Sequence, residues 1–191
     1  SAVMALILGI CAATLGKKVD SAISFAIDTV MGIPHILLLI LISYAMGKGL
    51  KGVIAGVALT HWTSLARLIR GEVMQLRESE YIQIAGKLGL GKWEIAKKHI
   101  VPHVLPQFIV GLVLLFPHAI LHESSITFLG FGLSTEQPAI GVILSESMRY
   151  LIMGKWWLAV FPGMMLVLTV VLFDIGGTDI RQLLDPGSVH D

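Results

Sequence analysis

The chain is short of charge, of basic excess and of cysteine. Only 14% of its 191 residues are Asp, Glu, Lys or Arg, against roughly 25% in a typical soluble domain. A water-soluble globule of this size would lack a polar coat. Lys and Arg number 14 and Asp and Glu 13, so no cationic surplus drives binding to a phosphate backbone, and a nucleic-acid partner is not expected. The single cysteine, Cys11, excludes an intrachain disulfide and a thiolate zinc site. Disorder is excluded too, because disordered chains are polar and charge-rich. What the chain has instead is apolar side chains. They make up 55% of it, and mean hydropathy is +0.82. The composition describes one integral membrane domain.

No basic segment precedes the first apolar run, residues 2–15, and no small-residue cleavage site follows it. It therefore does not read as a signal peptide. The expectation is a fragment or a processed chain that begins inside or just before a membrane helix. A spanning helix needs about 20 mostly apolar residues. Five stretches meet or approach that length: residues 2–16, 25–46 (with Pro34 and His35 inside), 53–69, 104–122 (with Pro106 and Pro117) and 156–175 (with Pro162). Proline is tolerated in membrane helices more than in soluble ones.

Charge then sets sidedness. If the spans alternate, Lys17, Lys18, Arg67, Arg70, Arg77, Lys87, Lys92, Lys97, Lys98 and Arg181 fall on one side, and Lys48, Lys51, Arg149 and Lys155 on the other. The richer side is the cytoplasmic one by the positive-inside rule. Residues 70–101 and the C-terminal tail are then expected inside, and residues 129–155 outside. The outward stretch 134–150 reads as an interfacial or re-entrant element, or as a simple loop.

The inner loop, residues 78–102, reads ESEYIQIAGKLGLGKWEIAKKHIVP. Tyr81, Ile82, Ala85 and Leu88 recur at helical spacing, Gly89, Leu90 and Gly91 break the run, and Trp93, Ile95, Ala96 and Ile100 supply a second apolar stripe. Two short amphipathic helices jointed by glycine suit docking into a partner's groove; periodicity alone serves equally for lying on lipid headgroups. Gly86, Gly91 and Lys92 satisfy the start of a phosphate-loop pattern. Trp93 stands where that pattern needs a hydroxyl for Mg²⁺, and a helical pattern rather than a strand precedes it. No nucleotide or other cofactor is expected on this chain.

The loop resembles the EAA loop of permease subunits of binding-protein-dependent ABC importers: E-A-A, three residues, G, nine residues, then I-x-L-P. Gln83, Ile84 and Ala85 occupy the E-A-A places, Gly89 the glycine, His99 the isoleucine, Val101 the leucine and Pro102 the proline. The glycine-to-proline spacing fits, while the Glu, the first Ala, the Ile and the Leu are replaced. The wider text, SLARLIRGEVMQLRESEYIQIAGKLG, KKHIVPHVLP, TFLGFGL and LLDP, is similar to the second permease of the dipeptide, oligopeptide and nickel branch. The resemblance runs over nearly the whole chain. It implies an all-α polytopic helix bundle in a bacterial or archaeal cytoplasmic membrane. Residues 1–191 would form one permease domain, with about five spans present and the family's first helix missing. It implies a transport subunit without catalytic residues. Its partners would be a second permease subunit, ATPase subunits that bind and hydrolyse ATP, and an external substrate-binding protein. The loop would be a coupling helix docked on the ATPase, and Tyr81, Ile82, Gln83, Ala85, Gly89, Trp93 and Pro102 are its candidate contacts. The substrate, peptide or nickel or a nickel chelate, stays open.

Polar groups at membrane depth usually face a bundle interior or a water-filled path. His118 and His122 are four apart and share one helix face, and Glu123 follows. The three are candidate pathway residues. The two imidazoles suit Ni²⁺ or Zn²⁺ or, equally simply, interhelical hydrogen bonds. The zincin pattern H-E-x-x-H fails at Ile126. His99 and His103 read as interfacial, and His35 and His61 as helix-packing histidines. Asp28 is placed at the inner entry of the second span, and Asp174 and Asp179 at the inner exit of the fifth. The contrasting reading is a stand-alone secondary transporter or channel that uses intramembrane His and Asp for ions. It would call for inverted repeats, which the sequence does not display.

Overall fold

The computed structural model describes residues 1–184, and all regular structure among them is helical. The order is α1 (Ala2–Thr14), α2 (Lys17–Met31), α3 (His35–Ala45), α4 (Gly49–Thr60), α5 (Trp62–Glu78), α6 (Glu80–Lys87), α7 (Lys92–Ile95), a π-helical turn (Ala96–Ile100), α8 (Val101–Phe128), α9 (Ile140–Leu151) and α10 (Trp157–Leu184). An all-α bundle is thus what the chain forms. The described chain divides into two compact units. One holds residues 1–32, 61–113 and 179–184, the other residues 33–60 and 114–178.

The span count differs from the expected five. Among the described residues, three helical stretches are long and apolar enough to cross a membrane: Gly49–Glu78, Trp93–Phe128 and Trp157–Leu184. A fourth arises if α2 and α3 together count as one broken span. The expected span over residues 25–46 is not continuous. It breaks at Gly32–Pro34, where proline lacks an N–H and disfavours helical geometry in the residue before it. Helix α1 has 13 residues, about 20 Å of helix at 1.5 Å per residue, short of the ~30 Å hydrocarbon core.

The span expected over residues 104–122 runs much longer, from Trp93 to Phe128 over 36 residues. The π turn ends two residues before Pro102. There the Val101 N–H reaches back to the Ala96 carbonyl, widening the turn that proline leaves one hydrogen bond short. The LLDP motif is described only to Leu184; Asp185 and Pro186 lie outside the described residues.

In the first unit, α1 and α5 pack closely. Ala5, Gly9, Ala12 and Ala13 form a buried small-residue stripe on α1. Leu65, Ala66, Ile69, Val73 and Leu76 form the matching buried stripe on α5. A Cβ placed on Gly9 would sit 2.8 Å from Ile69 Cβ and 2.9 Å from the Ala66 carbonyl, so the helices approach to backbone distance. The α5 stripe continues to Leu76, well past the apolar window. This is why the helix extends to Glu78, beyond the apolar span expected to end at Ile69. Gly111 brings the first half of α8 onto α5 in the same way, its Cβ position lying 2.5 Å from Leu65 Cδ1.

In the second unit, α3 and α4 form a hairpin. Its turn, Gly47-Lys48-Gly49, has φ of 86°, 61° and 69°, a left-handed run that two glycines make accessible. Gly52 and Gly56 on α4 press onto Ser43 and Leu39 of α3. Leu39, Val53 and Ile126 form the core, with Ile40, Val57 and Leu133 against it. The segment after α8 closes onto the hairpin. Ser43 Oγ donates to the Phe131 carbonyl at 2.6 Å, and the Gly49 N–H donates to the Gly132 carbonyl at 2.9 Å. Lys48 Nζ sits 4.9 Å from the Phe131 ring centroid. Two segments assigned by charge to one side of the membrane therefore meet at one end of this unit.

The close approach predicts a contrast on a single helix pair. Gly9→Val should destabilise the chain by about 1–3 kcal/mol through overpacking. Gly71→Ala on α5, where nothing lies within 4 Å of the added Cβ, should be neutral or stabilise by up to roughly 1 kcal/mol. Unfolding of the two detergent-solubilised variants checks the difference.

Candidate functional site

The loop, residues 78–102, is a run of short helices within the first unit. Helix α5 ends at Glu78, a single extended residue, Ser79 (φ −66°, ψ 143°), turns the chain, and α6 begins at Glu80. Ser79 Oγ donates to the Leu76 carbonyl at 2.5 Å. Gln83 Nε2 donates to the Glu78 carbonyl at 3.0 Å. The amide at the place of the family's Glu thus ties α6 to the end of α5, a bond an ionised carboxylate could not make.

The C-terminus of α6 is a Schellman motif. The Gly89 N–H donates to the Gly86 carbonyl at 3.1 Å and the Leu90 N–H to the Ala85 carbonyl at 3.2 Å, with Gly89 at φ 90°. Ala85 and Gly89, four apart in the EAA-like pattern, are therefore the third-last helical residue and the left-handed residue of one cap. The glycine is needed for its conformation. A Cβ there would meet nothing within 4 Å.

The apolar residues of α6 sort onto two faces. Ile82 is 6% exposed and lines a half-open pocket with Thr14, Arg77, Gln83, Gly86, Ile95 and Ile100. It belongs to the packing of the first unit, so the candidate outer face loses it. Tyr81, Ile84 and Leu88 are exposed and stand at i, i+3 and i+7 along the segment, one row at helical spacing. Trp93 is 82% exposed. Gln83, Gly89 and Pro102 are exposed, and Ala85 is half-buried. Tyr81 also meets the His99 ring edge-on at 6.3 Å. Ile84 and Leu88 were missing from the candidate contacts. The signal was the i, i+3, i+7 spacing from Tyr81, obscured because Ile82 belongs to the inner face.

The membrane-depth candidates separate. His118 is exposed on α8 and His122, one turn on, is half-buried. The His122 ring lies against His35, the first residue of α3, with centroids 4.4 Å apart and planes tilted 45°. Thr60 donates its hydroxyl to the Gly56 carbonyl at 2.8 Å, and its oxygen lies 3.4 Å from His35 Nε2. His122 thus finds an imidazole neighbour from another helix, which i, i+4 spacing does not reveal. Glu123 turns elsewhere. It accepts from Thr127 Oγ1 at 2.8 Å and from Ser124 Oγ at 3.3 Å, while Thr127 Oγ1 accepts from the Leu133 N–H at 3.0 Å. Glu123 therefore orders the turn after α8.

Residues 5–187 match the family described as binding-protein-dependent transport system inner membrane component. The chain is similar to the dipeptide transport system permease protein of Bacillus subtilis (32% identity over 95% of the chain and 57% of the relative). It is also similar to the oligopeptide transport system permease protein of that organism (30%, 97% and 62%), and to a probable D,D-dipeptide transport system permease protein of Escherichia coli (31%, 94% and 60%). The chain spans about three fifths of the length of these curated relatives.

The histidine geometry makes a stability prediction. His122→Ala should cost about 0.6–2 kcal/mol, the range for polar contacts between membrane helices. The exposed His118→Ala should stay within about 0.5 kcal/mol of the parent. Denaturation of both variants in matched detergent compares them; equal losses would contradict the separation.

Proposed function

The chain belongs to the family of binding-protein-dependent transport system inner membrane components, and from that premise we propose that it is a permease subunit of an ABC importer for peptides. It is a transport subunit in a multi-pass arrangement in the cytoplasmic membrane of a bacterium. It forms the translocation pathway with a second permease subunit. ATPase subunits supply the energy and an external binding protein delivers the substrate. The names of the relatives, dipeptide and oligopeptide permeases, support peptide over nickel as the cargo. Membership in a family of multi-subunit systems also favours this reading over a stand-alone transporter.

One observation in the structure carries the coupling assignment. Helix α6 holds an exposed row of Tyr81, Ile84 and Leu88 while its inner face is packed and its end is closed by the Gly89 cap. A helix that lays one apolar face in a partner's groove has this pattern. Trp93 adds a further large exposed apolar group beside this row in sequence. With α6 seated on an ATPase subunit, closure of the ATPase pair around ATP displaces α6, and the bundle moves between two packed arrangements. Neither step asks this chain for a catalytic group. The exposed groups Tyr81, Ile84, Leu88 and Trp93 provide grip, and Ala85, Gly89 and Pro102 set the frame.

The test uses the assembled importer in proteoliposomes, with uptake and ATP hydrolysis measured together. Gly89→Val forces a β-branched residue into left-handed geometry and should cut uptake per ATP hydrolysed by about tenfold or more. The basis is a backbone penalty of order 1–3 kcal/mol. Trp93→Ala should weaken association with the ATPase by a similar factor, as loss of an interface aromatic does, while leaving thermal stability unchanged. Wild-type uptake in both variants would remove α6 as the docking element.

A further inference from the structure

We propose that an arginine ladder on α5 is the strut that carries motion of α6 into α1 and α2, with the Asp20–Arg70 pair as its fixed point; this rests on the coupling reading above. Arg67, Arg70 and Arg77 fall within about 80° of one face of α5 at 100° per residue. Each reaches a different place in the first unit. Arg67 Nη2 donates to Asp28 Oδ1 at 2.5 Å. Arg70 donates through Nε and Nη2 to the two carboxylate oxygens of Asp20, at 2.5 and 2.8 Å. Arg77 Nη1 donates to the carbonyl of Ala13, at the C-terminal end of α1, where helix carbonyls lack partners and the dipole is negative.

Packing alone does not supply this role. The α1–α5 contact is a stripe of Ala and Gly against aliphatic side chains. Such a surface holds α1 against α5 but makes no directional polar bond from α5 to α2. A bidentate guanidinium–carboxylate pair is directional and fixes register. The pairs are unequal. Arg70 and Asp20 side chains are 27% and 26% exposed, whereas Arg67 and Asp28 are 50% and 67% exposed. Exposed pairs contribute little, while breaking a sheltered pair leaves a stranded charge. Only Ser79 separates α5 from α6. A displacement of α6 is therefore passed to α5 without a slack loop, and from α5 to α2 through Arg70.

The experiment uses the assembled importer in proteoliposomes, reading peptide uptake per ATP hydrolysed, with subunit abundance and thermal stability alongside. Asp20→Asn and Arg70→Gln should each lower that ratio by about tenfold, the scale on which residues in one ion pair couple, while ATP hydrolysis continues. The charge-exchanged double variant, Asp20→Arg with Arg70→Asp, should recover it to within about threefold. Arg67→Gln should change it less than Arg70→Gln does. Should a single variant fail to accumulate, Arg70→Lys keeps the charge, loses the fork and should give an intermediate ratio. An unchanged ratio in the accumulating variants, or uptake and hydrolysis falling in step with stability, would reduce the ladder to a packing element and overturn the proposal. The coupling reading is tested separately. An unaltered importer in which α6 touches no ATPase subunit would sink that reading whatever the variants do.

Discussion

Contact between α1 and α5 at backbone distance is the constraint from which the first unit is built. It exists because Gly9 and three alanines leave α1 without side-chain bulk on one face, letting Ile69 sit where a Cβ would otherwise be. Lipid tails are as apolar as leucine, so burying apolar area does not hold membrane helices together. Close van der Waals contact and paired polar groups must do so. Once α5 is held along α1, its arginines face α2 and the end of α1, its C-terminus is stationed, and α6 projects from a supported base. The α5–α6 joint at Ser79 is short enough that this support passes into the candidate docking surface.

Glycine serves two opposite purposes, and each unit uses both. At Gly9, Gly52, Gly56 and Gly111 its missing side chain admits a neighbouring helix. At Gly47, Gly49 and Gly89 the surroundings are open and the backbone itself is left-handed. The two uses explain why a glycine-rich chain can be rigid: the first kind tightens packing between helices and the second closes turns abruptly. In the loop, the Schellman cap at Gly89 ends α6 in one residue and lets the chain re-enter a helix at Lys92, so the segment is a jointed pair of short helices and not a floppy connector.

The residues singled out in the sequence have different uses at α6 and at the acid of α8. The EAA-like places are filled by Gln83, Ile84 and Ala85, and the structure gives each a use: a tether to the Glu78 carbonyl, an exposed apolar group and a cap residue. Glu123, grouped in the sequence with two histidines, is instead occupied with Thr127 and Ser124. A carboxylate next to a hydroxyl-rich stretch (Ser124, Ser125, Thr127) has local partners available, and local hydrogen bonds form without the cost of bringing distant helices together.

Composition and pattern by themselves established a membrane-embedded all-α chain, the location of the loop and the glycine at which it turns. Those follow from hydropathy, charge and the conformational freedom of one residue, all of which are local. They did not establish the span count: the break at Gly32–Pro34 and the unbroken run through Pro106 and Pro117 look alike in sequence, and only neighbouring helices decide whether the freed backbone groups are satisfied. They also did not separate Ile82 from Ile84, or join His122 to His35 and Asp20 to Arg70. Those outcomes depend on which face of each helix meets another. Amphipathic spacing permits more than one such face, and tertiary packing selects one.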